Sequence, residues 1–130
     1  MREILFRGKR TDNGEWIEGF YSAEEYNPYI GKIEYIPRIQ IIGKCVSLGV
    51  IPETVGQYTG LTDKNDVRIF EGDIIRFEDD IGYVIYNGDD ARFLVDSPNM
   101  YISMDYSNEF EVIGNIHDNP EILKGGEDNG

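Results

Sequence analysis

The sequence predicts a mainly β protein of the barrel or sandwich type, and three observations carry that expectation. Apolar runs of about five or six residues recur with turn signals roughly every eight to twelve residues, the spacing of short antiparallel strands. Fifteen glycines and five prolines punctuate a chain of 130 residues, too densely for long helices. Aromatic residues are plentiful within the runs, with nine Tyr, six Phe and one Trp along the chain.

The first element is a hairpin. Two extended runs, residues 3–9 and 15–21, flank Asp12-Asn13-Gly14, where Asn and Gly tolerate positive φ. Ile4 and Phe6 alternate with Glu3, Leu5 and Arg7, which predicts an apolar Ile4/Phe6 face and a mixed opposite one. Residues 22–32 are polar at their start and carry Pro28 and Gly31, so they read as a loop before short strands at 33–36 and 38–42. Pro37 lies between those strands and cannot donate to a ladder, which predicts an edge, a break or a bend. Residues 43–55 have the weakest pattern.

From Thr54 the chain becomes regular. Strands are expected at 54–59, 68–70, 74–78, 82–87, 91–96, 101–106 and 109–116. Turns fall at 62–66, at Glu71-Gly72-Asp73, at 78–82 and at Asn87-Gly88. In Gly56-Gln57-Tyr58-Thr59-Gly60 the glycines allow positive φ or close approach, with Tyr58 packed between them. Gly72 turns the chain, and Asp73 accepts bonds from neighbouring amides. Near the end, Asn119 caps, Pro120 suits the first helical position and Glu121 favours the positive end of the helix dipole. That turn is short, and residues 125–130 form a frayed tail.

Several of these strands are apolar on both faces: Ile74-Ile75, Tyr83 to Tyr86, and Phe93 to Val95. A strand with one solvated face should alternate. Its second face is covered either by the N-terminal half or by another subunit, and a homo-oligomer is expected.

Twelve basic against 25 acidic residues give a net charge of −13, which repels a phosphate backbone and argues against direct nucleic-acid binding. Arg2, Arg7, Lys9 and Arg10 are the one basic cluster. Cys45 is the single cysteine, so no intramolecular disulfide forms, and its apolar neighbours predict a small buried side chain. The charged start of the chain does not resemble a signal peptide, and no apolar run approaches the roughly 20 residues that span a bilayer. No membrane partner is expected, and the expected location is the cytoplasm.

Catalytic and metal motifs are weak throughout. Gly56 to Gly60 lacks the G-K-[ST] close of a phosphate loop and opens no helix. Asp63-Lys64-Asn65 imitates the start of a calcium loop, but Val67, Arg68 and Ile74 stand at its fifth, sixth and twelfth positions. His117 and Cys45 are each the single residue of their kind, too few for a Cys/His zinc site. The pairs Glu24-Glu25, Asp79-Asp80 and Asp89-Asp90 lie on turns and point apart, which disfavours an acid–base dyad. No catalytic, cofactor or metal residue is assigned and no cofactor is expected. Trp16 reads as a core or interface residue and His117 as a packing and hydrogen-bonding one. Trp16, Tyr58 and His117 are the candidates for a ligand or interface contact.

Three blocks carry a family resemblance: "MREILFRGKRTDNGEWIEGFY" at the start, "TVGQYTGLTDKN" with "IFEGDIIRF" in the centre, and "FEVIGNIHDNPEIL" near the end. Together they resemble the YopX family of small proteins encoded by phages and prophages of bacteria. The matching positions are Gly56, Gln57, Tyr58, Thr59, Gly60, Gly72, Asp73, Gly114, Asn115 and Pro120. One departure is Asn65-Asp66, where relatives commonly have Asn-Gly; an Asp there accepts left-handed geometry at a cost or shifts the turn type.

The resemblance implies an N-terminal hairpin plus a C-terminal small, SH3-like antiparallel barrel with a short C-terminal helical turn. The expected domains are an N-terminal hairpin and strand extension over residues 1–53, a small barrel over 54–124 and a tail over 125–130, forming one compact unit overall. It also implies homo-oligomers and no established activity or catalytic residues. The expected function is a non-enzymatic, self-associating interaction module of phage or prophage origin, in the cytoplasm of the bacterial host. Its partners are itself and, secondly, a host or phage protein. Two rival readings are an acidic DNA mimic that inhibits a host DNA-binding protein, and a small-ligand binder at the barrel mouth.

Overall fold

Asn13 and Gly14 close the first hairpin as their chemistry requires. Gly14 takes a φ of 74° and its amide donates to the Arg10 carbonyl at 3.0 Å, while Asn13 Oδ1 accepts from the Glu15 amide at 2.9 Å. The strands so joined are β1 (Phe6–Lys9) and β2 (Trp16–Asn27), in a computed structural model that describes residues 4–123. Arg2 of the basic cluster and the expected tail at 125–130 lie outside the described residues.

The chain divides into two compact units between Gln57 and Tyr58. In the first unit, β3 (Lys32–Ile41) and β4 (Ser47–Gly49) continue the sheet outward from β2, and β5 (Gly56–Thr62) starts on the other side of β1. A 3-10 turn, Pro52–Thr54, precedes β5, and Thr54 Oγ1 fastens it by accepting from the Lys9 amide at 2.9 Å. β5 runs on into the second unit and pairs there with β6 (Arg68–Phe70), so the sheet order is β4-β3-β2-β1-β5-β6.

The second unit also holds β7 (Asp73–Phe77), β8 (Asp80–Asn87), β9 (Arg92–Asp96), β10 (Tyr101–Ser103) and β11 (Glu111–Asn115). They form an antiparallel sheet in the order β10-β9-β8-β7-β11. Ile69, Ile75, Val84, Val95 and Phe110 are the fully buried centre of its core. A short helical turn at residues 120–123 follows β11.

Several expectations are corrected. Among the described residues no strand pairing closes the second unit into a barrel: β10 and β11 are the ends of an open sheet, and the 3-10 stretch Met104–Glu109 joins them. That stretch also ends the expected 101–106 strand at Ser103, whose Oγ accepts from the Asp105 amide at 3.2 Å. The first apolar face is reversed, because Leu5 is 1% exposed and Ile4 65%. Alternation says which residues share a face, not which face becomes covered. Cys45 is exposed, because it sits in the β3–β4 turn, where Gly43 takes a φ of 81° and neighbouring Ile42 and Val46 are exposed too.

Residues 22–32 are not a loop. β2 and β3 form one long hairpin, with a register shift between Ser22 and Glu24 that takes up Pro37. Asn27 turns it: its Oδ1 accepts from the Tyr29 amide at 2.9 Å, its carbonyl from the Gly31 amide at 2.9 Å, and Gly31 takes a φ of 67°. Asn87 repeats this turn between β8 and β9, where its Oδ1 accepts from the Asp89 amide at 3.0 Å. Here the left-handed position falls on Ala91 at φ 53°, not on the expected Asn87-Gly88 pair, because Asn87 is still paired in the ladder with Arg92. Asn119 directs its side-chain oxygen back to the Asn115 amide at 3.3 Å, and its carbonyl accepts from the Ile122 amide at 3.1 Å. Finally, Ile74, Ile75, Phe93, Leu94 and Val95 are all buried within the single chain, whereas of Tyr83 to Tyr86 only Val84 is buried and Tyr86 is 49% exposed.

Candidate functional site

Glycine geometry settles the 56–60 segment as a strand with a bulge. Gly60 takes a φ of 90° where the β5–β6 register slips between Tyr58 and Thr62. Thr59 Oγ1 donates to the Ile69 carbonyl at 2.8 Å and accepts from the Leu61 amide at 3.2 Å, which holds the slipped strands together. Tyr58 is buried, with its ring 5.4 Å from that of Phe70 and the Arg68 guanidinium 5.5 Å above it.

Two buried carboxylates work as loop braces. Asp73 Oδ2 accepts from the Phe70 amide at 2.8 Å and closes the turn at Gly72, whose φ is 92°. Asp63 Oδ1 accepts from the amides of Asn65 and Val67 at 2.8 and 2.9 Å, and its Oδ2 from that of Val112 at 2.9 Å. Burial pushes the Asp63 pKa up, but the amides of Val112, Val67 and Asn65 and the charge of Lys64 together outweigh it, so the carboxyl lies below its ordinary value of 3.8. The sequence places Asp63 in the 62–66 turn but does not show that its carboxylate reaches the Val112 amide, 49 residues further on.

His117 lies beyond β11 in a turn organised by Asn115, whose Oδ1 accepts from the amides of His117 and Asp118 at 3.0 and 2.9 Å. A Cβ at Gly72 would stand 3.6 Å from His117 Nε2, so the imidazole rests against the glycine turn. Trp16 is half-buried at the start of β2, with the Arg7 guanidinium 4.8 Å and the Lys9 ammonium 5.7 Å from its ring, a cation–π arrangement. Trp16 belongs to the first unit, Tyr58 and His117 to the second. A cleft of about 580 Å³ in the second unit is lined by none of the three.

One exposed apolar feature of the first unit is an arm. β1 pairs with β2 over Trp16 to Gly19, and β4 pairs with β3 over Arg38 to Gln40. Past the register shift, the rungs from Glu24–Tyr35 to Asn27–Lys32 have no further strand paired to either edge among the described residues. On and beside this two-stranded ribbon, Tyr29 is 95% exposed, Ile33 and Tyr35 65%, and Ile30 54%. The tell-tale in the sequence is Asn27-Pro28-Tyr29-Ile30-Gly31, an Asn-initiated turn closed by a left-handed Gly. At the arm's base, burial first and the neighbouring Tyr35 hydroxyl second push Tyr21 up to about 12.

Among the described residues no cluster of three or more His, Cys, Asp or Glu is arranged to hold a metal ion, and no helix is long and apolar enough to cross a membrane. What the fold and its exposed features define is a mainly β protein with two antiparallel sheets and a projecting hairpin. The chain belongs to the YopX protein family, whose model matches residues 5–124. It is similar to the crystal structure of protein EF1440 from Enterococcus faecalis, at 25% identity and a TM-score of 0.56, over 95% of this chain and 99% of that one. No curated protein matches it.

Proposed function

We propose that this protein is a non-enzymatic module of phage or prophage origin that works by self-association in the cytoplasm of the bacterial host, using the β2–β3 arm to bind a second copy of itself. The observation that carries this reading is the ribbon beyond Ser22, exposed at Tyr29, Ile30, Ile33 and Tyr35. A two-stranded ribbon is marginal in water by itself, and its open edges are templates for another strand. A second arm supplies both missing elements, backbone partners for the edges and apolar cover for the side chains. The buried carboxylates support a non-enzymatic reading, since Asp63 and Asp73 hold main-chain amides.

Hydrogen exchange across a concentration series tests it. Amides of residues 24–27 and 32–35 are expected to gain protection as concentration rises, while those of β7 and β8 stay constant. Arm protection that is independent of concentration would refute the proposal.

A further inference from the structure

The turn between β8 and β9 carries chemistry that its structural role does not use. The backbone nitrogen of a residue that follows an Asn can attack the Asn side chain at Cγ and close a succinimide ring. That attack needs an N–H free of other hydrogen bonds, a following residue that does not crowd the ring, and donors for the charge that gathers on Oδ1. The sequence has Asn-Gly at 13–14, 87–88 and 129–130, and the last pair lies outside the described residues. The Gly14 amide is already committed, since it donates to the Arg10 carbonyl at 3.0 Å. Among the described residues the Gly88 amide donates to no acceptor, and a Cβ at this glycine would meet nothing within 4 Å. Asn87 Oδ1 accepts from the amides of Asp89 and Asp90 at 3.0 and 3.4 Å, whereas Asn13 Oδ1 has the Glu15 amide alone. Asn27, in the same kind of turn, precedes Pro28, whose nitrogen has no proton to lose.

We propose that Asn87 is a self-modification site, which passes through a succinimide with Gly88 to a mixture of aspartate and isoaspartate. The Gly88 nitrogen gives its proton to water and bonds to Cγ, and the two amides on Oδ1 stabilise the tetrahedral oxyanion. The Cγ–Nδ2 bond then breaks, and Nδ2 takes up a proton and leaves as ammonia. Water adds next to either ring carbonyl, and the bond from that carbon to the ring nitrogen breaks. Opening at Cγ gives aspartate; opening at the main-chain carbonyl gives isoaspartate. Either product adds a negative charge to a turn that already holds Asp89 and Asp90. Isoaspartate also routes the main chain through Cβ and Cγ, one carbon longer, beside the Asn87–Arg92 rung of the ladder. The turn is thus a slow clock that loosens the β8–β9 hairpin as the protein ages, and it runs without self-association.

Peptide mapping by mass spectrometry tests it, on the full wild-type chain aged at slightly alkaline pH in buffer and in urea. In buffer, the peptide with Asn87 is expected to show the mass change of an NH2-to-OH exchange, as two separable products. It should react about fivefold or more faster than the peptide with Asn13, because the Gly14 amide must first give up its hydrogen bond. In urea the two rates are expected to converge, since both sites are then plain Asn-Gly. The peptide that ends at Gly130 is read separately. Gly88→Ala has room for its methyl group at a φ outside the left-handed region, and is expected to slow the reaction at Asn87 several-fold by crowding the attacking nitrogen. Equal rates at Asn13 and Asn87 in buffer, a rate gap that persists in urea, or an Asn87 that stays intact in the folded chain would overturn the proposal.

Discussion

The carboxylate of Asp63 accepts a hydrogen bond at 2.9 Å from the amide of Val112, which lies 49 residues further along the chain. The same side chain binds the amides of Asn65 and Val67, so a single residue closes the β5–β6 turn and secures it to the start of β11. Replacing Asp63 by Ala leaves three amides without their acceptor in a site where Asp63 is 5% exposed. The expected loss of stability is about 3 kcal/mol by urea unfolding. A loss below about 0.5 kcal/mol, the size of an ordinary surface change, would contradict the bracing role.

Asp63 also gives stability a defined acid dependence. Its folded pKa lies below the ordinary 3.8, so its contribution is fully present above that value and is lost as pH falls through the lower folded pKa. Wild-type stability is therefore expected to fall more steeply than that of Asp63→Ala below about pH 4. Parallel curves for the two proteins in this range would contradict it.

Asp66 and Ala91 occupy left-handed backbone, at φ 66° and 53°. The matching turn at Gly31 has a glycine in this position, with φ 67°. Asp66→Gly and Ala91→Gly are each expected to stabilise the protein, by roughly 0.5–1 kcal/mol, because relief of left-handed strain exceeds the added chain entropy. A lower melting temperature in either variant would count against this geometry.

Gly19 is required for the opposite reason. A Cβ there would overlap the Gln40 carbonyl on β3, and backbone cannot swing aside as a side-chain end does. Gly19→Ala is expected to cost about 1–3 kcal/mol, measured by thermal unfolding. A neutral substitution would mean that β2 and β3 are not this close.

Tyr21 is expected to titrate late, at about 12, and to move toward ordinary phenol values in Tyr35→Phe, which removes the second cause of its shift but not its burial. Since the folded pKa is raised, the stability it contributes is intact below its ordinary value of 10.0 and is lost as pH rises toward 12. Ultraviolet titration of the tyrosinates distinguishes the two proteins; identical curves would mean that the hydroxyl pair is absent.

The parts of the fold legible in the sequence were those set by local chemistry. Asn13-Gly14, the Gly60 bulge and the Gly72-Asp73 turn follow from residues that tolerate special φ or accept nearby amides. Closure of the second unit was not legible, because whether β10 and β11 pair depends on contacts between strands distant in sequence. The buried face at Leu5 and the exposure of Cys45 were misread for a related reason: burial is decided by what arrives from elsewhere in the chain. The arm was overlooked because Glu24, Glu25 and Pro28 obscure the period-two pattern, although Asn27 and Gly31 marked its turn.

Sedimentation velocity of the full chain at micromolar concentration, beside the Ile33→Glu/Tyr35→Glu double variant, tests self-association through the arm most directly. The expected result is a species at a whole-number multiple of 14.9 kDa for the wild type and a folded particle of 14.9 kDa for the variant. Added salt is expected to strengthen the wild-type complex by screening the charge of −13 on each copy. A wild-type chain that sediments as a monomer at low and high salt, or a folded variant that keeps the wild-type mass, would contradict it.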